Sequence, residues 1–406
     1  MSKKTNKSPA QGWISIWFMA IALLMASSLA AYAQDDPIPP NPCEEGCTAI
    51  NGTVRNCAGT PLPGVTVTMV GENTGFTRIR VTSASGTFSS GLMPVDTYTV
   101  TPTPTVGYFF SPRNIITEGG SVNFTRYPRD NRANFDGDCK TDISVFNDGV
   151  WSSINSSNGV FVNFNFGLAD DVITPGDYNG DGKTDYAVFR RTDGNWYIDT
   201  DPSTPLTFDV VHFGISRDLP VARDYDGDGK TDIAVFRPSA STWYILNSSN
   251  NSVSYISWGL LGDRVAPGDY DGDNKDDVAV FRPSDTIWYI RRSSDGVMMA
   301  IQWGLSGDVP VQADYDGDGR TDIAVYRPSD QNWYIRKSSD GALQSATWGL
   351  STDIKVPGDY DGDGKADVAV QRPDTGVWYI IYSTGGSNGI GFFGGLPVPA
   401  GYLAPQ

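Results

Sequence analysis

Nine residues, Asp224 to Asp232, read DYDGDGKTD and place carboxylates at loop positions 1, 3, 5 and 9. Lys230 at position 7 offers a backbone carbonyl, and Gly229 at position 6 permits a sharp turn. Oxygen donors at 1, 3, 5, 7 and 9 around a glycine at 6 follow the first part of an EF-hand loop. A donor set made wholly of hard oxygen suits Ca2+ rather than zinc or copper. The bidentate glutamate of position 12 is replaced by Val235, so Asp232 has to close the site. The competing reading is an Asx turn, which needs only one or two such side chains. Two carboxylates about 5 Å apart repel by roughly 3 kcal/mol at an effective dielectric near 20, and four accumulate several such terms. A divalent cation removes that conflict, so the spacing predicts calcium.

Relatives of this run begin at Asn134, Asp177, Asp269, Asp314 and Asp359. The expected ligands of the first loop are Asn134, Asp136, Asp138, Lys140 and Asp142; those of the second are Asp177, Asn179, Asp181, Lys183 and Asp185. The third uses Asp224, Asp226, Asp228, Lys230 and Asp232, and the fourth Asp269, Asp271, Asp273, Lys275 and Asp277. The fifth uses Asp314, Asp316, Asp318, Arg320 and Asp322, and the sixth Asp359, Asp361, Asp363, Lys365 and Asp367. The basic residues enter only through their carbonyls. Asn179 is a neutral donor that still serves, and Asn274 at position 6 tolerates the left-handed conformation. The first loop departs furthest, with Asn134 at position 1 and Cys139 in place of glycine. Five or six calcium ions are expected.

The loop starts are 43, 47, 45, 45 and 45 residues apart, the mark of a repeat architecture. Each unit runs from the acidic loop to a T-D-I-A-V-F segment, a polar turn, W-Y-I, a second turn, an aromatic-Gly pair and P-V. In the third unit Ile233 and Val235 alternate with Ala234 and Phe236, so both faces of that strand are apolar and require sheets above and below. Blades of a β-propeller, four short strands in about 45 residues, meet that requirement. Six units predict six blades. The tail Phe392 to Leu403 begins a seventh unit without an acidic loop and either adds a strand that closes the ring or makes a seventh blade. The repeated tryptophans (Trp151, Trp196, Trp243, Trp288, Trp333, Trp378) are expected to pack between blades, the rival being a sugar-stacking platform. A second series, Phe166, Phe213, Trp258, Trp303, Trp348 and Phe393, is expected to anchor the turn leaving each blade.

The chain has 406 residues and a net charge of −17. Residues 1–33 read as an export signal: Lys3, Lys4 and Lys7 precede an apolar run from Trp13 to Ala30 and a small-x-small site at Ala31-Tyr32-Ala33. The rival is an uncleaved membrane anchor, because the run approaches spanning length. Without the signal the charge is −20, which excludes a nucleic-acid backbone binder. These acids are not scattered: 22 of the 47 acidic residues are aspartates at alternating positions of the six loops. In an oxidising compartment, disulfides are expected among Cys43, Cys47 and Cys57, with Cys139 a free thiol. The cysteine spacings fit no usual zinc pattern.

Residues 34–47 form a proline-rich spacer. From Thr48 to Tyr127 short alternating strands separated by turns predict a β-sandwich, with Val65, Val67 and Met69 on one face and Thr66, Thr68 and Val70 on the other. The run from Gly52 and Val54 through PLPGVTVT (Pro61 to Thr68), ASGTF (Ala84 to Phe88), DTYTVT and YFFSP resembles the carboxypeptidase regulatory-like family. That family has a transthyretin-like or carbohydrate-binding-like sandwich, and the resemblance implies no catalysis. Residues 128–133 are the linker to the propeller, residues 134–406. The D-x-D-x-D-G-x-x-D loops with F-G and P-V punctuation resemble FG-GAP or VCBS-type repeats, related in pattern to the integrin alpha propeller. The resemblance implies calcium that rigidifies loops on one face and recognition by loops elsewhere.

Catalysis has little to draw on. His212 is the only histidine and precedes a repeated aromatic-Gly pair. No HExxH, P-loop or GxSxG occurs. A glycosidase needs two acids about 5 to 9 Å apart, but most acids belong to the loops, and Asp193, Asp285, Asp330 and Asp374 sit where turn chemistry uses aspartate. The expectation is therefore an all-β, exported, calcium-binding and non-enzymatic protein, extracellular, at the cell surface or in the periplasm. It would recognise a glycan or a surface protein, with no nucleic-acid partner and no membrane insertion after signal cleavage. A structural scaffold is the alternative, and a carbohydrate-active enzyme a more distant one.

Overall fold

The computed structural model describes residues 46–129, 132–204, 206–392 and 394–402. The export segment, the spacer up to residue 45, Cys43, Phe393 and Leu403 lie outside the described residues. Among the described residues no helix is long and apolar enough to cross a membrane.

The N-terminal region is a sandwich of two four-stranded sheets. One runs Thr87–Pro94, Cys47–Asn56, Gly120–Pro128 and Tyr108–Ser111; the other runs Thr77–Val81, Thr66–Gly71, Tyr98–Pro102 and Ile115–Thr117. Alternation sets the faces. Val67 and Met69 are buried against Ile50, Val54, Tyr98, Val100, Val122 and Phe124, while Val70 faces solvent.

Six four-stranded sheets follow, each with a two-residue innermost strand. In the fifth unit these are Val309–Pro310, Ile323–Arg327, Asn332–Arg336 and Leu343–Thr347. Burial falls outward along the blade. Four consecutive residues of Ile323–Arg327 are buried, Asn332–Arg336 buries alternate residues, and Leu343–Thr347 buries none. This is why the second strand is apolar on both faces and the outermost is largely polar. All six repeated tryptophans are at most 2% exposed. They are therefore core residues, and a sugar-stacking role is excluded for them. In the third to fifth blades the indole N–H ties the blade edge: Trp243, Trp288 and Trp333 donate to the carbonyls of Trp258, Trp303 and Trp348. Those three in turn donate to Tyr289, Tyr334 and Tyr379 of the next blade.

The ring closes with six blades. The tail strand Leu396–Pro397 pairs with Ile143–Asn147 and becomes the innermost strand of the first blade. At the hub the amide at loop position 8 donates to the position-1 carbonyl of the preceding loop: Thr184 to Asn134, Thr231 to Asp177, Asp276 to Asp224, Thr321 to Asp269 and Ala366 to Asp314. Thr141 of the first loop completes the circle by donating to Asp359 of the sixth at 2.6 Å.

A second repeated device was not anticipated from sequence. Arg190, Arg237, Arg282, Arg327 and Arg372, at the ends of the second strands, grip Asp171, Asp218, Asp263, Asp308 and Asp353 through two guanidinium nitrogens each. Each guanidinium also lies over a third-strand tyrosine, at 4.1 to 4.5 Å from the ring centre. Such paired, stacked geometry is available to arginine and not to lysine. Replacing Trp288 with alanine should cost about 3–5 kcal/mol, as expected for a large buried aromatic. The check is the denaturant midpoint, with an unchanged slope showing that stability alone has moved.

Candidate metal centre

In the third loop the position-1 carboxylate lies under the turn. Asp224 accepts from the amides of Gly227 at 2.6 Å and Gly229 at 2.8 Å. Asp232 at position 9 reaches back to the Tyr225 amide, and its other oxygen accepts from the Ser248 amide at 2.7 Å. Asp226 and Asp228 receive the hydroxyls of Ser249 and Ser248 from the turn between the third and fourth strands. The same cap recurs with Ser293 and Ser294, Ser338 and Ser339, and Ser383 and Thr384. Ser156 and Ser157 supply it in the first blade. The serine pairs are visible in the sequence at the repeat period, and the loop-centred reading passed over them.

Three carboxylates in each of four loops offer oxygens within 4.8 Å of one another: Asp224, Asp226 and Asp232; Asp269, Asp271 and Asp273; Asp314, Asp316 and Asp322; Asp359, Asp361 and Asp367. Three of these sets join positions 1, 3 and 9, whereas the fourth loop joins 1, 3 and 5. In the first two loops Asn134 and Asn179 replace one member, leaving two carboxylates where the others have three. The Asn179 amide is turned to the Thr200 carbonyl. The position-7 lysines are directed away from their own loops, whereas Arg320 also pairs with Asp318 of its own loop at 2.8 Å. Lys140, Lys183, Lys230, Lys275, Arg320 and Lys365 each extend over the position-4 glycine of the preceding loop.

Burial without sufficient countercharge disfavours the ionised form. It pushes Asp177, Asp224, Asp269, Asp277 and Asp359 up to about 7, Asp185 to about 8, and Asp232, Asp322 and Asp367 to about 6. Arg129 opposes the rise at Asp224 and Asp269. A carboxylate oxygen that accepts one amide keeps a second lone pair. Hard oxygens clustered in partly dehydrated loops therefore fit a divalent cation of the calcium type.

The sandwich stands on this face of the propeller, and it meets every loop at position 6. Gly182 faces the Tyr127 ring, and Gly364 lies 3.3 Å from the Tyr108 hydroxyl, measured from where a Cβ would be. A Cβ on Gly229 would come within 2.9 Å of Arg113, and one on Gly319 within 2.6 Å of the Val106 carbonyl. The two loops without glycine there use the position for bonding. Asn274, at φ 65°, accepts from the Gly107 amide at 2.9 Å. Cys139, at φ 76°, is disulfide-bonded to Cys57, with Cα atoms 5.6 Å apart.

That pairing corrects the expectation of a free Cys139 and of Cys57 bonded among the first three cysteines. The stacking of the domains, which spacing could not reveal, brings residues 82 apart together. Cys47 is also disulfide-bonded. Position-4 carbonyls bind the sandwich as well: Gly180 accepts from Ser111 and Gly227 from Arg113. The linker enters the hub. Arg129 bridges Asp224 at 3.2 Å and Asp276 at 3.1 Å and donates to the Asn274 carbonyl. Asp276 is the one acid at position 8, where the other loops have threonine or alanine. Arg132 is buried and donates to the Gln312 carbonyl. Between them lies a cavity of about 120 Å³, lined by residues of the acidic loops and of the sandwich. His212 sits on an outermost strand against Asn195, and Asp193, Asp285 and Asp330 bind the tyrosines of their own hairpins.

Residues 49–107 match the carboxypeptidase regulatory-like domain, and residues 224–297 and 314–370 match the FG-GAP-like repeat. The chain thus joins a carboxypeptidase regulatory-like domain to FG-GAP-like repeats, as the motifs suggested. No curated protein sequence matches it. Similar solved structures include an Agrocybe aegerita lectin that recognises non-reducing terminal N-acetylglucosamine. It is 17% identical, with a TM-score of 0.42, covering 62% of this chain and 77% of that one. A virginiamycin B lyase from Staphylococcus aureus, with quinupristin, is 8% identical, with a TM-score of 0.37, covering 55% and 72%.

The raised aspartates fix a sign for the metal-free protein. Unfolded aspartate titrates near 3.9, so between about pH 4 and pH 7 to 8 the folded chain holds more protons than the unfolded one. Stability then falls as pH rises. In chelator the melting temperature should drop from pH 5 to pH 8, and millimolar calcium should flatten or invert that slope. A melting temperature that climbs over this range in chelator would contradict the burial argument.

Proposed function

We propose that this is an exported, calcium-stabilised binding protein without catalytic activity, which recognises a glycan or a surface protein. The observation that carries it is the set of four partly buried carboxylate triads on one face of the propeller. These triads tie the acids to loop structure rather than to an open cleft. Because the sandwich covers that face, recognition falls to the opposite one. There, the loops that leave each blade present Leu168, Ile215, Leu260, Leu305 and Leu350 at equivalent positions, each 42–56% exposed. Their backbones are rigid, since the amides of Leu168, Ile215, Leu260, Leu305 and Leu350 are held by the aspartates of the arginine latches. Five similar, firmly held sites suit a repetitive or multivalent ligand.

A site loaded at a hundredfold excess over its Kd adds about 2.7 kcal/mol. Four such sites should make chelation lower the melting temperature by at least about 10 °C. An unchanged melt would remove the calcium reading. Recognition is tested by glycan-array and surface-protein binding in calcium and in chelator. Saturable binding lost on substituting Leu260 and Leu305 by aspartate supports the assignment, and its absence on both panels favours a scaffold.

A further inference from the structure

Ion ligands and domain contacts alternate along the same short arc of chain. Positions 1, 3, 5 and 9 carry the carboxylates. Position 4 supplies carbonyls to Ser111 and Arg113, and position 6 touches the sandwich in all six loops. Neither set can move alone, because position 5 is held between two docking positions and its carboxylate is tied to the position-7 amide in every loop, as in Asp228 to Lys230 at 2.8 Å. If the carboxylates separate under their own repulsion, the position-4 carbonyls and position-6 backbones shift with them.

We infer that loading of the loops with calcium controls docking of the N-terminal sandwich on the propeller, and that the Cys57–Cys139 disulfide tethers the sandwich when the ions are lost. This rests on the calcium reading above. The contacts include short polar bonds and close backbone approaches, which tolerate little displacement. The tether has its place in the loop with the fewest carboxylates at positions 1, 3, 5 and 9 outside the second, which is where an ion holds least. Linkage requires the converse as well: a docked sandwich tightens calcium binding by the same factor by which calcium favours docking.

The linker reports the state. Arg132 is buried at the hub and the Arg129 side chain is largely enclosed there, and both are trypsin sites, so docking protects them and release exposes them. The chain as secreted and its Cys57→Ser/Cys139→Ser variant are digested in calcium and in chelator, below the melting temperature, while calorimetry follows calcium binding and tryptophan fluorescence follows the propeller core. The expected result is protection of both proteins in calcium, and at least a tenfold faster cut at Arg129 or Arg132 in the chelated double variant, with native tryptophan emission. Equal protection in chelator, with calcium binding intact by calorimetry, overturns the docking proposal and leaves the calcium reading standing. Loss of the tryptophan signal together with the cut overturns it too, since docking is then no separate event. No calcium binding at all removes both. In the reciprocal test, Ser111→Ala with Arg113→Ala should weaken calcium binding severalfold, and unchanged affinity counts against the coupling.

Discussion

Carboxylates of one sign, packed side by side at the hub and partly dehydrated, are the constraint to which the rest of this protein answers. Backbone amides, serine hydroxyls and the amides of the adjoining strands each take part of that charge. These groups orient the oxygens but do not neutralise them. The lysines that might do so are directed across to a neighbouring loop, where they act as struts between blades. Arg129 is bonded to two hub acids, Asp224 and Asp276, and so serves two of the six loops. What remains is the charge that a small hard cation satisfies.

Away from the hub the chain solves a different problem with the same economy of means. Each blade must join its neighbour without a continuous hydrogen-bonded sheet between them. Tryptophan does this near the outer edge by pairing a large apolar body with one N–H donor, while the arginine latch works within a blade, fastening the start of the innermost strand to the second and third strands. The first blade has Asn147 where the others have the latch arginine, and the C-terminal strand closes the ring at that blade.

The architecture was legible because it repeats. A period near 45 residues, an apolar second strand and an alternating third strand specify a blade without reference to any long-range contact. The sandwich was legible for the same reason, since Val67 and Met69 against Val70 state the two faces within four residues. The stacking of one domain on the other was not legible, because it depends on departures rather than repeats. Cys139 and Asn274 break the glycine rule at position 6, and Asp276 breaks the threonine pattern at position 8. The spacing marks Cys139 and Asn274 only as departures within metal loops and says nothing of Asp276, whereas the three are partners for Cys57, Gly107 and Arg129. A charge such as Asp276 makes sense only when its counterion, 147 residues away in sequence, is seen beside it.

Those three departures also answer a question of symmetry. A ring of six nearly identical loops presents the sandwich with six nearly identical seats, and a small domain placed on it would be spread over six rotational settings. The degeneracy amounts to RT ln 6, about 1 kcal/mol, so each preferred contact need exceed thermal energy only modestly to choose one seat. One cysteine, one asparagine and one aspartate act as the teeth of a key, each present in a single blade. They convert a pseudo-sixfold platform into an oriented one, so that the N-terminal domain always projects over the same sector of the wheel.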